Sequence, residues 1–161
     1  VARKIQGCDF KTVKGNDYET PEYVFKYLDS EFNFVFDLAA SKDTAKCTRF
    51  YTPKDDALSK DWHKIKGYLW LNPPYSPLRP WLEKSYSEYL KGAKIVMLVP
   101  PFTYMSYFSR ITPSEIRYID KRIGFLLDGV PQNSNTHYSC LLIFDYARQT
   151  KISYISREMF K

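Results

Sequence analysis

The chain has 161 residues, with 24 Lys and Arg against 18 Asp and Glu, a formal charge of +6; the length suits one domain with a three-layer core, and the charge favours a polyanionic partner. With 14 Tyr, 11 Phe and 26% charged residues the composition is globular, and no apolar run approaches the roughly 20 residues that would span a bilayer. Cys8, Cys47 and Cys140 are too few and too scattered for a disulfide framework or a metal site, so no metal and no membrane are expected, and a soluble protein of a reducing cytoplasm is.

Residues 1–18 mix glycine, lysine and arginine with few apolar side chains and read as an arm, with the folded domain over 19–161. Thr20-Pro21-Glu22 opens a helix: Thr20 can cap it, Pro21 suits the first helical position and Glu22 complements the dipole. Tyr23, Val24, Tyr27 and Leu28 then share one face, carrying the helix to about Asp29. Phe32-Asn33-Phe34-Val35-Phe36 reads as a strand ending at Asp37-Leu38-Ala39-Ala40-Ser41. Small residues after a strand let backbone approach a ligand, and a carboxylate there can pair with the ammonium of an amino-acid moiety. Asp37 is therefore a candidate for a cofactor site, although an Asp in that place equally caps the following turn. A helical turn over residues 43–47 leads to a second strand over 48–52, closed by Pro53, and then to Asp55-Asp56-Ala57-Leu58 in a polar turn.

Tyr68-Leu69-Trp70-Leu71 is a short apolar strand cut off by Asn72-Pro73-Pro74-Tyr75, because neither proline can donate to a ladder and each restricts its predecessor. In an open α/β sheet that carboxyl edge is where ligands bind. There the Asn72 amide oxygen and the Pro73 carbonyl can both accept from one exocyclic amino group while the Tyr75 ring stacks on a planar base. The same residues also make an ordinary Asn-Pro turn. A helix over residues 80–90, ended by Gly92, precedes the most hydrophobic strand, over 93–100, which should be central and parallel. A helix over 104–111, a strand over 116–119, a hairpin element over 121–125, a long polar loop over 126–138 and strands over 140–145 and 151–156 complete the chain. Strands alternating with helices give an α/β class.

The ordered set Thr20-Pro21, Phe36-Asp37-Leu38-Ala39-Ala40-Ser41, Ala45-Lys46-Cys47, Phe50-Tyr51-Thr52, Asp56-Ala57-Leu58, Asp61-Trp62 and Asn72-Pro73-Pro74-Tyr75 resembles the small phage-type, Dam-like DNA N6-adenine methyltransferases, from about Asp17 to the strand near Phe144. The resemblance implies a single-domain class I, Rossmann-like three-layer sandwich with a mixed sheet. It also implies S-adenosylmethionine as cofactor, DNA as substrate, and the cytoplasm of a phage-infected or prophage-bearing bacterial cell as the setting. Residue by residue, it makes Asn72, Pro73, Pro74 and Tyr75 catalytic. It puts Asp17, Thr20, Asp37, Ala39 and Asp56 at the cofactor, and Arg122 with Phe125 at nucleic acid. The chain departs from the family pattern with Tyr18 where Trp is more usual, Thr44 where Asn is frequent, and Lys121 in place of Gly. Methylation of protein glutamine or of RNA, and a nucleic-acid-binding relative without catalysis, are the alternatives left open by the residues.

Overall fold

A computed structural model of the chain describes residues 18–101, 109–132 and 138–160. The expected arm up to and including Asp17, and most of the helix expected over 104–111, lie outside the described residues. In chain order the elements are α1 (Glu22–Phe32), β1 (Phe34–Asp37), β2 (Tyr68–Leu71), α2 (Arg79–Leu90), β3 (Lys94–Val99), β4 (Glu115–Ile119), β5 (Leu126–Leu127), β6 (Val130–Pro131), β7 (Cys140–Phe144) and β8 (Lys151–Ile155).

Six strands form one sheet in the order β1-β2-β3-β7-β4-β8. β1, β2 and β3 run parallel, β7 is antiparallel to both β3 and β4, and β8 is parallel to β4, so the sheet is mixed and mostly parallel. The apolar runs explain this arrangement. Along β3, Ile95, Met97 and Val99 join one core with Leu69, Leu71 and Leu142 and with Leu82 of α2, while Val96 and Leu98 join a second core with Trp70, Leu141 and Ile143 and with Val24, Phe25 and Leu28 of α1. A strand apolar on both faces must be covered on both, and each side chain so buried contributes about 1.5–3 kcal/mol. Helices therefore occupy opposite faces, and β3 lies inside the sheet as its sequence requires.

Four local expectations change. Thr20 does not cap α1; Pro21 holds that position, and its carbonyl accepts from the N–H groups of Val24 and Phe25. The helix passes Asp29 because Phe32 is needed in the core, and it stops at Asn33, whose left-handed φ of 58° brings its N–H to the Asp29 carbonyl; asparagine tolerates that conformation. Phe32 thus belongs to the helix, and β1 starts at Phe34. The second strand over 48–52 is reduced to one parallel bridge between Asp37 and Phe50, at the last residue of β1. No strand forms over 121–125. The hairpin lies just beyond, in β5 and β6, turned at Asp128-Gly129, where φ is 50° and 74°, as a type I′ turn demands. Residues 133–137 of the expected polar loop lie outside the described residues.

Polar groups lock the other end of the sheet. Glu115, fully buried at the start of β4, accepts from Arg117, Arg148 and the Ser153 hydroxyl. Glu88 of α2 is equally buried; desolvation alone would raise its pKa, but Lys84, the backbone and ring of His63, and Lys91 more than offset this and hold its carboxyl well below the usual range. That cluster also places Asp61, His63 and Glu88 close together, but Glu88 is engaged by the two lysines and His63, and Asp61 pairs with Lys64. Just before β2, Gly67 has φ +109°, and a Cβ there would lie 2.8 Å from Val35 Cγ1. Gly67→Ala combines a disfavoured backbone with an overlap against the neighbouring strand. It should lower unfolding free energy by about 1–3 kcal/mol, read as a shifted urea midpoint at unchanged slope; an unchanged midpoint would contradict this packing.

Candidate active site

β1 and β2 are hydrogen-bonded neighbours, with Asp37 opposite Trp70 and the Leu38 N–H donating to the Trp70 carbonyl. From Asp37 the chain leaves outward to the Phe50 bridge, whereas from β2 it crosses through α2 to β3 on the other side. Such a divergence leaves a crevice at the carboxyl ends of the two strands. A cleft of ≈ 270 Å³ is found there, bringing together Thr20, Asp37, Ala39, Asp56, Asn72 and Pro74.

Asp37 is 2% exposed. One carboxylate oxygen accepts from the Ala39 N–H at 3.2 Å and the other from the Lys46 N–H at 3.0 Å, folding the intervening loop around it. Burial raises its pKa to about 6 despite those two donors. Both the capping role and a place on the cleft wall are therefore present in one residue. Asp55 and Asp56 separate clearly. Asp55 accepts from the Thr52 N–H and hydroxyl, each at 2.7 Å. Asp56, with φ 49° and an exposed side chain, is the one that lines the cleft. Trp62 secures this wall by donating its indole N–H to the Ala57 carbonyl and stacking near Trp81.

Thr20 is 2% exposed, and its buried hydroxyl has no partner among the described residues. A buried hydroxyl left in that state costs about 1–3 kcal/mol unless a ligand completes it. At the end of β2, the Asn72 Nδ2 donates to the Tyr18 carbonyl at 2.8 Å. Only the NH2 end of an amide can do so, which leaves its oxygen an acceptor with no partner among the described residues. Pro73 is buried and Pro74 faces the cleft. The half-buried Tyr75 ring meets Phe125 edge-on, with centroids 6.4 Å apart, and its hydroxyl is buried without a partner, which pushes its pKa above the ordinary phenol range.

The pair expected at nucleic acid divides. Arg122 is exposed, while Phe125 is 1% exposed and packs beside Tyr75; it follows buried Ile123 and so turns inward rather than to a surface. Asp17 lies outside the described residues. Tyr51, Leu58 and Trp81 supply apolar and aromatic cleft wall. In the sequence Trp81 looks like a core side chain of a helix, while Tyr51 and Leu58 stand within the quoted motifs with no site role expected of them. Tyr18 contributes through its backbone carbonyl, which no residue pattern can announce.

The Asp37 carboxyl has a checkable consequence. Because its folded pKa is raised above the usual value, the folded state holds the proton over a window from about 4 to 6, and stability contributed by the neutral form is lost as pH rises through about 6. A carbon-13 NMR titration of the Asp37 carboxyl should show its midpoint near 6; a midpoint below the ordinary aspartate value would contradict this environment.

Comparison with known proteins gives a family. A family model described as "DNA N-6-adenine-methyltransferase (Dam)" matches residues 8–161. A DNA N-6-adenine-methyltransferase of Escherichia phage T1 is 27% identical over 162 residues, covering 99% of this chain and 62% of the relative, so the chain spans less than two thirds of that protein's length. A DNA N-6-adenine-methyltransferase of Haemophilus phage HP1 is 31% identical over 155 residues, covering 89% of this chain and 88% of the relative. With the family model spanning nearly the whole chain and the HP1 protein aligned along most of both lengths, the chain belongs to the DNA N-6-adenine-methyltransferase (Dam) family of adenine-specific DNA methyltransferases.

Proposed function

We propose that this chain binds S-adenosylmethionine in the cleft between the ends of β1 and β2 and directs methyl transfer to the N6 amino group of adenine in DNA. The observation that carries this reading is the shared cleft: Asp37 with its small-residue loop and the acceptor end of Asn72 stand at the ends of neighbouring parallel strands. The strand order, with antiparallel β7 set between parallel β3 and β4, supports a class I methyltransferase fold. In the same reading residues 1–18 are an arm and 19–161 the methyltransferase domain, acting in the bacterial cytoplasm where the phage relatives' hosts keep their DNA.

The chemistry of the lining fits the cofactor. Thr20 offers an uncompleted hydroxyl, Asp56 an open carboxylate that can accept from an amino group, and Tyr51, Leu58 and Trp81 apolar surface for a planar ring. Asp37 can pair with an ammonium, which would draw its carboxyl back to the ionised form. Thr20, Asp37, Ala39, Asp56 and, from the arm, Asp17 would hold the cofactor, which when bound supplies an electrophilic methyl group. Asn72 Oδ1 and the Pro73 carbonyl would accept from the target amino group, aiming its nitrogen lone pair, and the Tyr75 ring would stack on the base. Because N6 lies within the duplex stack, the base must leave it or the substrate must be single-stranded. Arg122 and the net charge of +6 favour phosphate contact.

Isothermal titration with S-adenosylmethionine and a methyl-transfer assay on DNA test this reading. The wild type should bind the cofactor, and Asp37→Ala should weaken binding by at least ~10-fold. Asn72→Ala should retain binding yet lose roughly 30- to 1000-fold in rate, equivalent to about 2–4 kcal/mol of transition-state stabilisation. Absence of cofactor binding by the wild type, or full activity in Asn72→Ala, would contradict the proposal. Tyr75→Ala should weaken DNA affinity or rate by about 1–3 kcal/mol, with most of that retained in Tyr75→Phe because the ring does the stacking; equal losses in both variants, measured by fluorescence titration and rate, would argue against a stacking role.

A further inference from the structure

We infer that the backbone carbonyl of Tyr18, clamped in place by the β5–β6 hairpin, is the positioning group that turns the oxygen rather than the nitrogen of the Asn72 side chain toward the substrate. The inference rests on the preceding reading for its consequence, since an acceptor facing the substrate selects an amino group, but its geometry stands alone. A primary amide has two ends of nearly equal size and opposite hydrogen-bonding character. If the Asn72 amide could flip freely, half of its orientations would face an incoming amino group with donors. The hydrogen bond from Nδ2 to the Tyr18 carbonyl, at 2.8 Å, removes that freedom, because the flipped amide would set two acceptors against each other at contact distance.

Tyr18 can perform this only if it is itself held. Its neighbour Glu19 donates to the Leu126 carbonyl at 2.8 Å and accepts from the Leu126 N–H at 3.0 Å, an antiparallel bridge closed on both sides. The hairpin's register makes Leu126 available for this. Across the hairpin it faces Pro131, which has no N–H, and the next rung is made by the Gln132 N–H donating to the Phe125 carbonyl at 2.8 Å. Leu126 therefore stands at a non-hydrogen-bonded position of β5–β6 and directs both its backbone groups to Glu19. Beyond Glu19, the buried Thr20 and the helix start at Pro21 fix the other side. The chain of contact runs from the hairpin through Glu19 to the Tyr18 carbonyl and ends on the amide of Asn72.

Two variants of the full chain test this. Leu126→Pro deletes the N–H given to Glu19 without removing a bond of the β5–β6 ladder. Asn72→Asp replaces the donor end of the side chain by an oxygen that can face the Tyr18 carbonyl only when protonated. The first readout is NMR of the Asn72 side-chain NH2, identified as the signal lost in Asn72→Asp. Its hydrogen exchange in the wild type should be at least ~10-fold slower than that of a free amide, and this protection should vanish in Leu126→Pro that remains folded by circular dichroism. Unprotected exchange in the wild type would overturn the inference, whatever the activity of the protein. The second readout is the methyl-transfer rate of Asn72→Asp from pH 8 to pH 5, taken as a ratio to wild type at each pH so that the influence of the other charged groups lining the cleft, Asp37, Asp56 and Lys46, cancels. The ratio should rise by up to ~10-fold per pH unit of acidification as the acid form becomes populated. A ratio near one at neutral pH, or one indifferent to pH, would overturn the inference, because an ionised carboxylate would then serve as well as the oriented amide. If the wild type transfers no methyl group to adenine, the functional reading fails, and the exchange measurement still decides the orientation. If Leu126→Pro does not fold, the wild-type exchange and the Asn72→Asp ratio decide it.

Discussion

Two parallel strands cannot be joined by a tight turn, and the site depends on what β1 and β2 do about that. Each must send its chain away across the sheet, and because the two leave in opposite directions their carboxyl ends are left uncovered. Asp37 uses the space to fold the following loop around its carboxylate, and the double proline after Asn72 prevents β2 from growing into it. Everything named at the cleft is placed by those two terminations.

The two edges of the sheet differ in how completely their polar groups are satisfied. At the far edge the buried carboxylates Glu115 and Glu88 are each surrounded by several donors, and Arg117 is held by both Glu31 and Glu115. At the cleft, among the described residues, neither the Thr20 hydroxyl nor the oxygen of Asn72 has a partner, and burial pushes Asp37 toward its neutral form. Unmet hydrogen-bonding capacity at the cleft is what the proposed binding site would use.

Much of this was legible in the residues. Strands β2, β3, β7 and β8 follow from short apolar or alternating runs bounded by glycine, proline or charge, and the double-sided burial of β3 follows from its lack of any polar face. The gathering of Thr20, Asp37, Ala39, Asp56, Asn72 and Pro74 around one cleft was expected from the ordered motifs more than from any single spacing. What could not be read has physical causes. Local capping preference put Thr20 at the helix start, but the chain buries its side chain and gives the cap to Pro21. The strand propensity of residues 48–52 survives only as one bridge to the end of β1. Asp128-Gly129 is a hairpin signal that, weighed against the polar residues around it, would have placed β5 and β6. Phe125, which the resemblance puts at nucleic acid, is buried and packs against the Tyr75 ring.

The reaction proposed from the family and the cleft is adenine methylation, and its product tests the proposal most directly. DNA incubated with the protein and methyl-labelled S-adenosylmethionine, digested to nucleosides and separated by mass, should carry the label as N6-methyladenine. Label confined to cytosine, or appearing on protein or RNA while DNA stays unlabelled, would contradict the account.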